Sequence, residues 1–545
     1  MGGGLVGFDN PVAVSIVLFT IAISFLISYL SIRWTRTTTD FYVASGKIPW
    51  KLNGAAMFGD YCSAASFLGI AGAIALSGVD KWWIAIGFFG AWIVLLLVLA
   101  GPLKSAGKFT VGDVLVGRFG GRSLKLIAMV GTVVIGTLYL VPQIVGAGHL
   151  FNLLLGWDYM TTVFVTGAFM AMMVIIGGMR GTTYNQALQG LILIVAMFAL
   201  VIVASSIYFD GNPLRIIAQA KETVSTTEAV KIGRDLLATA PTETVEDAFA
   251  LAQTIREMAP ETPTAMTPGV AVPGMWNQLS LVLGLLLGTA GLPHVLIRLY
   301  TVKDARAAQK SVEVTIIGLA IFYIAVLFAG LAAMMILYPT LMELLAAGEI
   351  GVATNMAVPF LGMELGGEVF LGIIAAGAMA AMLSTSVGLL ISMTTSLAHD
   401  VYAGIIKPES SDRERVVFAK VGAAVFTVIA IVASIWLREQ NVAVLVGMCF
   451  GIAASTFAPI LILSIWWKGL TKEGAVSGLV VGLVFSLIFT FARFLEMSSV
   501  FGIPVLVNPA LYSVPVAFLT IFVVSYYTSN QGDVEKFMAV AHRKA

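Results

Sequence analysis

The amino-acid sequence predicts an all-α protein that crosses a membrane about thirteen times. Of its 545 residues, 59% are hydrophobic and only 11% are charged, which excludes an ordinary water-soluble protein. At about 20 apolar residues per crossing, thirteen segments are long enough to span. Ten of them divide into two sets of five, and each set opens with a helix that glycines interrupt. Interrupted helices at corresponding positions are typical of inverted repeats with a mid-membrane binding site. The composition gives nucleic-acid binding no support.

The predicted segments follow one another closely, apart from one long connection. A first helix and its linker, 1–51, precede the first repeat at 52–208. The connection 209–275 leads to the second repeat at 276–467, and two further helices with a tail occupy 468–545. The segments lie at about 12–31, 52–78, 82–103, 125–151, 159–179, 183–208, 276–298, 312–338, 367–398, 416–437, 441–467, 474–495 and 510–529.

Lysine and arginine are concentrated in alternate connections, and this asymmetry predicts the orientation. The other short connections hold almost nothing but Lys81 and Arg438, so the positive-inside rule places the basic set in the cytoplasm. The N-terminus is then outside and the C-terminus inside. The connection 209–275 becomes external, and we expect a surface cap because it holds few aromatic residues that could build a core.

The first interrupted helix is unusually polar for its depth. Asp60 lies there with Ser63 and Ser66 among apolar neighbours. An ionisable side chain inside a bilayer is costly, so it normally faces a cavity, an ion or a partner. Asp60 is therefore predicted to couple an ion or a proton, or to tune the field of a site; the alternative is a structural bond to a neighbouring hydroxyl or amide. Cys62 and Cys449 fit small buried hydrophobes.

A second polar concentration, Ser384 and Thr385, lies in a later predicted helix. Hydroxyls at this depth commonly bond to a carbonyl one turn back in their own helix, and this is the alternative for each of them. Together with main-chain carbonyls, however, the pair offers the oxygen ligands that a hard cation takes. No cluster of histidine, cysteine and aspartate at transition-metal spacing competes in the sequence. We therefore predict a monovalent cation site that includes this pair.

The second interrupted helix contains Pro293, which removes an N–H group and kinks a helix. His294 follows it directly, and Arg298 lies one turn further along. The two side chains could form a cationic vestibule for an anion, but for Arg298 we favour an anchor that snorkels to the interface. In an earlier helix Gln143 follows Pro142, where its amide either lines a cavity or packs against another helix.

Four regions of the chain hold the most specific residue patterns. They are Gly59-Asp60-Tyr61-Cys62-Ser63-Ala64-Ala65-Ser66-Phe67-Leu68-Gly69, Gly288-Thr289-Ala290-Gly291-Leu292-Pro293-His294 with Arg298, His399-Asp400-Val401-Tyr402, and Asn441-Val442-Ala443 with Ala453-Ala454-Ser455. Together they resemble the sodium:solute symporter family, and within it the bacterial acetate/monocarboxylate permease group. The resemblance covers nearly the whole chain. It implies a leucine-transporter-type fold of five plus five inverted helices in the bacterial cytoplasmic (inner) membrane.

The resemblance also implies a sodium site between the first interrupted helix and the helix that carries the hydroxyl pair. Sodium would be the co-transported ion. Its ligands would be the main-chain carbonyls of Gly59, Cys62 and Ala381 and the hydroxyls of Ser384 and Thr385.

The chain departs from the family pattern at two places. Several relatives carry an aspartate on the exit route of the ion where this chain has Gln186, so ion release would be tuned differently. Some acetate permeases lack the pair Ser384 and Thr385; its presence here favours sodium over protons as the driving ion and slightly weakens acetate as the substrate. Asp60, Gln186 and His294 are the residues predicted to tune coupling.

These features predict a sodium-coupled secondary active symporter that imports a small monocarboxylate, of the acetate, propionate or pyruvate type, by alternating access. The anion would lie near the N-terminal ends of the broken helices, beside Ala65, Ser66, Gln143 and Thr289. The alternatives are a symporter for a neutral solute such as an amino acid or a sugar, a sensor with a transporter-like domain, and a channel. An enzyme is not expected, because no nucleophile, base and orienting group share one face. The sequence leaves the oligomeric state open.

Overall fold

The computed structural model describes residues 10–34, 37–236, 256–257, 260–272, 274–529 and 533–543, and these residues are mostly helical. The helices are α1 (Pro11–Ser31), α2 (Thr38–Val43), α3 (Trp50–Tyr61), α4 (Ile70–Ser77), α5 (Trp83–Val94), α6 (Ala100–Ala106), α7 (Val111–Phe119), α8 (Arg122–Leu155), α9 (Tyr159–Tyr208), α10 (Leu214–Ala220), α11 (Thr226–Leu236), α12 (Met275–Gly288), α13 (Pro293–Ile297), α14 (Ala305–Ile336), α15 (Tyr338–Ala346), α16 (Ile350–Thr395), α17 (Asp412–Trp436), α18 (Val442–Trp466), α19 (Lys472–Phe494), α20 (Ala510–Tyr527) and α21 (Val534–Ala541). Two short antiparallel strands, β1 (Ser499–Val500) and β2 (Ile503–Pro504), pair between α19 and α20.

The structure agrees with thirteen membrane crossings. In the described part of the chain, eleven helical spans are long and apolar enough to cross a membrane, and a bent helix pair that begins with α3 makes a twelfth. Helix α9 has 50 residues and would be about 75 Å long if it were straight, far more than the roughly 30 Å of a hydrocarbon core. It is interrupted at Gly178, where φ is +55°, so α9 supplies two crossings.

Helix α16 is also broken by glycine. Gly367 has a φ of +59°, a conformation that glycine adopts without steric cost. The part of α16 that follows this break begins where the sequence predicts the span 367–398. Beyond Thr395 the helix continues in wider π-helical turns over Ser396–Ile406.

Both predicted interruptions are present. Helix α3 ends at Tyr61, and the next helical stretch, Ala65–Ser77, is bent from it by 61°. In the second case α12 ends at Gly288, Thr289–Gly291 form a 3-10 turn, and Leu292 is extended with φ −85° and ψ 111°. Pro293 then begins α13 at a position where its missing N–H costs nothing.

The first broken helix lies in the buried centre of the molecule. Helix α3 packs against α9 and α14, while α16 packs against α8, α9 and α3. Two glycines allow this close approach: a Cβ atom on Gly59 would lie 2.0 Å from the carbonyl oxygen of Gln186, and one on Gly388 would lie 2.1 Å from Oδ1 of Asp60. The end of α3 is thereby held against both α9 and α16.

Candidate functional site

The hydroxyl pair of α16 meets the free carbonyl end of α3. Ser384 Oγ donates to the carbonyl oxygens of Gly59, at 2.7 Å, and of Ala381, at 2.9 Å. Thr385 Oγ1 donates to the carbonyl oxygen of Asp60 at 2.5 Å. The last carbonyls of a helix have no partner within it, so the break makes these oxygens available to another element. The result is a compact group of hydroxyl and carbonyl oxygens between two helices, the ligand type that hard cations prefer.

Hydrogen bonds join three of the five residues predicted as cation ligands, Gly59, Ala381 and Ser384. Thr385 follows Ser384 directly but bonds to Asp60, and Cys62 is close by in the chain. Cys62 occupies the break itself, fully buried, with φ −72° and ψ 86°, and its N–H donates to Phe58. Among the described residues, no hydrogen bond joins Cys62 to Ser384 or Thr385. The structure adds an oxygen that the sequence did not predict, the main-chain carbonyl of Asp60.

Arg298 is fully buried and pairs with Asp60, which contradicts the prediction that it snorkels to the interface. Its Nε lies 3.5 Å from Asp60 Oδ2. Nη1 donates to Thr183 Oγ1 at 2.7 Å, and Nη2 donates to Gln186 Oε1. A charged side chain this deep needs a partner of opposite charge, and Asp60 supplies one. The bonds of Arg298 also argue against the alternative, a cationic vestibule formed with His294, because they direct Arg298 to Asp60 and α9.

Gln186 connects this ion pair to the helix of the hydroxyl pair. Its amide oxygen accepts from Arg298, and its Nε2 donates to the carbonyl oxygen of Ser384 at 2.7 Å. An aspartate at this position would add a second negative charge beside Asp60, whereas the amide can both accept and donate. Gln186 thus bridges Arg298 and the main chain of α16.

The residues predicted to line the substrate site lie around the first break. Gln143 Oε1 accepts the N–H of Ala64, within the break, at 3.0 Å. Thr289 Oγ1 lies 2.8 Å from Tyr61 Oη, so it joins the second break to the first. Ser66 Oγ lies 3.1 Å from the hydroxyl of Tyr323 on α14 instead. Ala65 is also fully buried.

A cluster of aromatic rings surrounds the break, and the sequence did not predict it. The centroid of Tyr61 lies 5.0 Å from that of Trp92 and 5.9 Å from that of Phe450, and Phe450 lies 5.7 Å from Tyr139. The Tyr139 ring in turn contacts the ring of His294 edge to face at 5.3 Å. In the sequence, an aromatic residue in an apolar segment fits a lipid-facing position as well as a buried one. Only the burial of these rings in the structure identifies them as part of the site.

A further polar cluster joins α7 to the end of α16. Ligand atoms of Asp113, His399 and Asp400 all lie within 4.8 Å of one another, and His399 Nε2 is 3.0 Å from Asp113 Oδ1. Spacing in the sequence does not predict this cluster, because 286 residues separate Asp113 from His399. Thr110 and Ser396 donate to the two carboxylate oxygens of Asp400, at 2.9 and 2.7 Å.

Asp113 is satisfied by its protein neighbours. Burial alone would raise the pKa of Asp113, but the hydrogen bond and charge of His399 and the charge of Lys125 outweigh it, so that the pKa lies below its usual value. Lys125 Nζ lies 3.7 Å from Oδ1, and the N–H of Phe109 donates to Oδ2 at 3.0 Å. All four carboxylate oxygens of the cluster thus have partners within the protein, and we interpret it as a latch between α7 and the end of α16.

Comparisons with known proteins agree with this architecture. The family model described as "Sodium:solute symporter family" matches residues 41–482. The uncharacterised symporter YwcA of Bacillus subtilis is 33% identical over 545 residues, covering 98% of both chains. The monocarboxylic acid transporter of Corynebacterium glutamicum is 34% identical over 529 residues, covering 94% of this chain and 91% of that protein.

Two solved structures are similar in fold. A Na⁺-coupled sialic acid symporter, in a substrate-bound outward-open state, gives a TM-score of 0.67 at 16% identity over 96% of this chain and 99% of its own. Mhp1, a nucleobase-cation-symport-1 family transporter in a closed conformation, gives 0.53 at 12% identity over 92% of this chain and 98% of its own. The predicted leucine-transporter-type fold is confirmed. With its family match over most of the chain, this protein belongs to the sodium:solute symporter family.

Proposed function

We propose that this symporter uses sodium to import a small monocarboxylate, of the acetate, propionate or pyruvate type, by alternating access. The observation that carries the proposal is the contact of Ser384 and Thr385 with the carbonyls at the end of α3. This contact joins a broken helix to a helix of the other half through oxygens that suit sodium. Similarity to a monocarboxylic acid transporter over 94% of the chain supports the substrate class.

Sodium binds, in this proposal, between α3 and α16. Its ligands are the carbonyl oxygens of Gly59, Cys62 and Ala381 and the hydroxyls of Ser384 and Thr385. Because Ser384 and Thr385 donate to the carbonyls in this structure, sodium would replace the hydroxyl protons as the partner of those oxygens, and each hydroxyl would rotate to offer a lone pair. The site thus closes the gap between the two helices when the ion is present.

The substrate anion lies beside the same break, next to Ala65, Ser66, Gln143 and Thr289. Asp60 and Arg298 already neutralise each other. The positive charge that accompanies the carboxylate is therefore the sodium ion itself. One sodium ion carried with one monoanion moves no net charge, so this stoichiometry takes nothing from the roughly 2.3 kcal/mol that 100 mV supplies per charge.

We place the protein in the bacterial inner membrane with its N-terminus outside and its C-terminus in the cytoplasm, as the distribution of lysine and arginine predicts. The inverted repeats are 52–208 and 276–467, preceded by 1–51 and followed by 468–545. The segment 209–275 forms an external cap. The lipid bilayer, sodium and the solute are its proposed partners.

A neutral solute such as an amino acid or a sugar is the second candidate, and one observation favours it. Arg298 donates to Asp60, Thr183 and Gln186, and within the described ranges no arginine or lysine is hydrogen-bonded to the residues proposed for the substrate. A site with no free cationic side chain suits a neutral molecule as well as it suits an anion that is accompanied by sodium.

Uptake of radiolabelled acetate, propionate, pyruvate and proline into proteoliposomes separates the two candidates. We expect a monocarboxylate to accumulate above the gradient-free control only with an inward sodium gradient. Accumulation of proline but of no monocarboxylate would favour the neutral solute. If no solute accumulates beyond the control, the proposed function is wrong.

A further inference from the structure

His294 is a buried polar side chain that the protein leaves without a partner. It is only 1% exposed, and neither Nδ1 nor Nε2 has a hydrogen-bond partner in the part of the chain that the structure describes. Leaving a buried polar group unpaired destabilises a protein, because the group has lost its bonds to water and gained none. Such a group in a folded protein calls for an explanation, and one explanation is a ligand that supplies the missing bond.

The position of His294 places it beside the site. It is the second residue of α13, directly after the break at Leu292. Its ring contacts the edge of Tyr139 at 5.3 Å, and Tyr139 Oη lies 3.4 Å from Ser63 Oγ in the break of the first helix. Gln143, which binds the N–H of that same break, lies one turn along α8 from Tyr139. His294 therefore lies where the two broken helices come together.

The other three histidines of the chain all have partners, which shows that the unpaired state is specific to this one. His149 Nε2 lies 2.8 Å from the carbonyl oxygen of Arg438, and His542 Nε2 lies 2.8 Å from that of Ile465. His399 is paired with Asp113. His294 is the most buried of the four and is the one beside the substrate residues.

An imidazole has the chemistry that a carboxylate needs. A neutral ring offers one N–H donor and one acceptor nitrogen, and a protonated ring offers two donors. In either form an N–H can donate to a carboxylate oxygen, and hydrogen bonds to an ionised group are stronger than neutral ones. Arg298 is directed to other groups, because Asp60, Thr183 and Gln186 accept hydrogen bonds from its guanidinium.

We propose that His294 binds the carboxylate of the transported anion by donating a ring N–H to one of its oxygens. The inference rests on the proposed function and adds the group that recognises the carboxylate. It also explains how a site without a free arginine or lysine distinguishes a monocarboxylate from a neutral solute of similar size, since a neutral acceptor would form the weaker bond.

Replacing the imidazole tests the inference. We expect His294→Phe to raise the half-saturating concentration of propionate about 10- to 100-fold, the usual effect of losing one hydrogen bond to a charged group. His294→Gln, which keeps an N–H donor, should recover much of this loss. The half-saturating sodium concentration, measured at saturating propionate, should stay within about twofold in both. His149→Gln is the matched control, a buried histidine outside the site, and should leave the propionate value unchanged.

Spectroscopy on the wild-type protein tests the inference without relying on transport by a variant, which is needed only to assign the signals. Because the chain has only four histidines, ¹⁵N-histidine labelling gives a spectrum that can be assigned by comparison with His294→Gln. With sodium present, propionate should shift the ring-nitrogen signals of His294 and leave those of His149 and His542 in place. Propionamide, which has no carboxylate, should produce a smaller shift at the same concentration.

The outcomes separate this inference from the function on which it rests. If wild-type protein shows no sodium-driven uptake of any monocarboxylate, the proposed function fails and the inference fails with it. If uptake occurs but propionate leaves the His294 signals unchanged, or His294→Phe keeps the wild-type half-saturation, only the inference is wrong. A purely structural role would lower stability in both variants without the recovery by Gln.

Discussion

The two broken helices present different polar groups at their breaks, although each is the first helix of its predicted repeat. At the first break the polar groups belong to the main chain. The carbonyl oxygens of Gly59 and Asp60 accept hydrogen bonds from the hydroxyls of α16. At the second break the polar atoms beside the site belong to side chains, the hydroxyl of Thr289 and the imidazole of His294. Carbonyl oxygens attract cations, whereas N–H and O–H donors attract anions. In the proposed function, the first break supplies the sodium ligands, and the second break adds donor groups beside the substrate residues that lie around the first.

An ion pair and a hydrogen bond hold the two breaks together. Asp60 belongs to the first broken helix and Arg298 to the second, and the two are 238 residues apart in the chain. Their ion pair and the bond between Tyr61 and Thr289 are direct links between the helices. The two broken helices are thus joined directly, and not only through the surrounding bundle.

Breaking the ion pair should have the largest effect. Arg298→Met leaves Asp60 charged and unpaired inside the membrane, and removing one partner of a buried pair typically costs about 3–5 kcal/mol. We expect a large fall in the thermal stability of the detergent-solubilised protein. The double variant Asp60→Asn with Arg298→Met should recover part of the loss because no charge is left unpaired.

Arg438→Met is the control for this experiment. Arg438 pairs with Glu439 at the surface, and exposed pairs contribute about 0–1 kcal/mol. If Arg298→Met is no less stable than Arg438→Met, the two breaks are not joined by this ion pair in the way the structure indicates.

Removing the hydroxyl pair should weaken the binding of sodium and leave the binding of the anion nearly unchanged. In Ser384→Ala with Thr385→Ala, two proposed ligands are lost, and we expect the half-saturating sodium concentration to rise by about tenfold or more, since two net bonds of about 1 kcal/mol each are removed. The half-saturating propionate concentration at saturating sodium should change little. Sodium titrations of uptake in proteoliposomes measure both.

Ser386→Ala is the matched control for the hydroxyl pair. Its Oγ donates to the carbonyl of Met382 within its own helix, at 2.7 Å, and not to the first break. Sodium dependence should therefore be that of the wild type. Unchanged sodium dependence in the double variant as well would remove the assignment of the first break to the cation.

Thr289→Val should have the smallest effect, and the quantity that changes should be the affinity for the anion. Valine keeps the shape of threonine but removes the bond to Tyr61 Oη, which is worth about 1 kcal/mol or roughly a fivefold change. We expect the half-saturating propionate concentration to rise by about that factor. Thr427→Val, where the lost bond is to Ala423 in the same helix, is the control and should match the wild type. A change in the half-saturating sodium concentration alone would contradict the proposal that Thr289 lies beside the substrate.

The parts of the fold that the sequence predicted correctly depend on local patterns. Apolar length predicts the crossings. Glycines indicate the first break, and glycines together with Pro293 indicate the second. Gly367 begins a span for the same reason. The hydroxyls of Ser384 and Thr385 stood out because polar groups are rare at that depth, and the structure places both against α3.

The parts that could not be predicted depend on contacts between distant residues. The sequence predicts an interfacial anchor for Arg298 because it lies near a segment end, and only the folded chain shows Asp60 beside it. The sequence does contain a hint of this ion pair. An aspartate inside the membrane requires a partner, and Arg298 is the basic residue nearest to either predicted break in the chain. Trp92 and Phe450 offered no such signal, because an apolar residue in a span is expected whichever way it faces.

Linkage between sodium and the anion tests the central claim most directly. If the two breaks serve one conformational change, saturating sodium should raise the affinity of the purified protein for propionate, and saturating propionate should raise its affinity for sodium by the same factor, typically about 5- to 150-fold. Equilibrium binding of each ligand, with and without the other, measures both factors. Equal factors within this range are the result that the account predicts; a propionate affinity that is the same with and without sodium would contradict it.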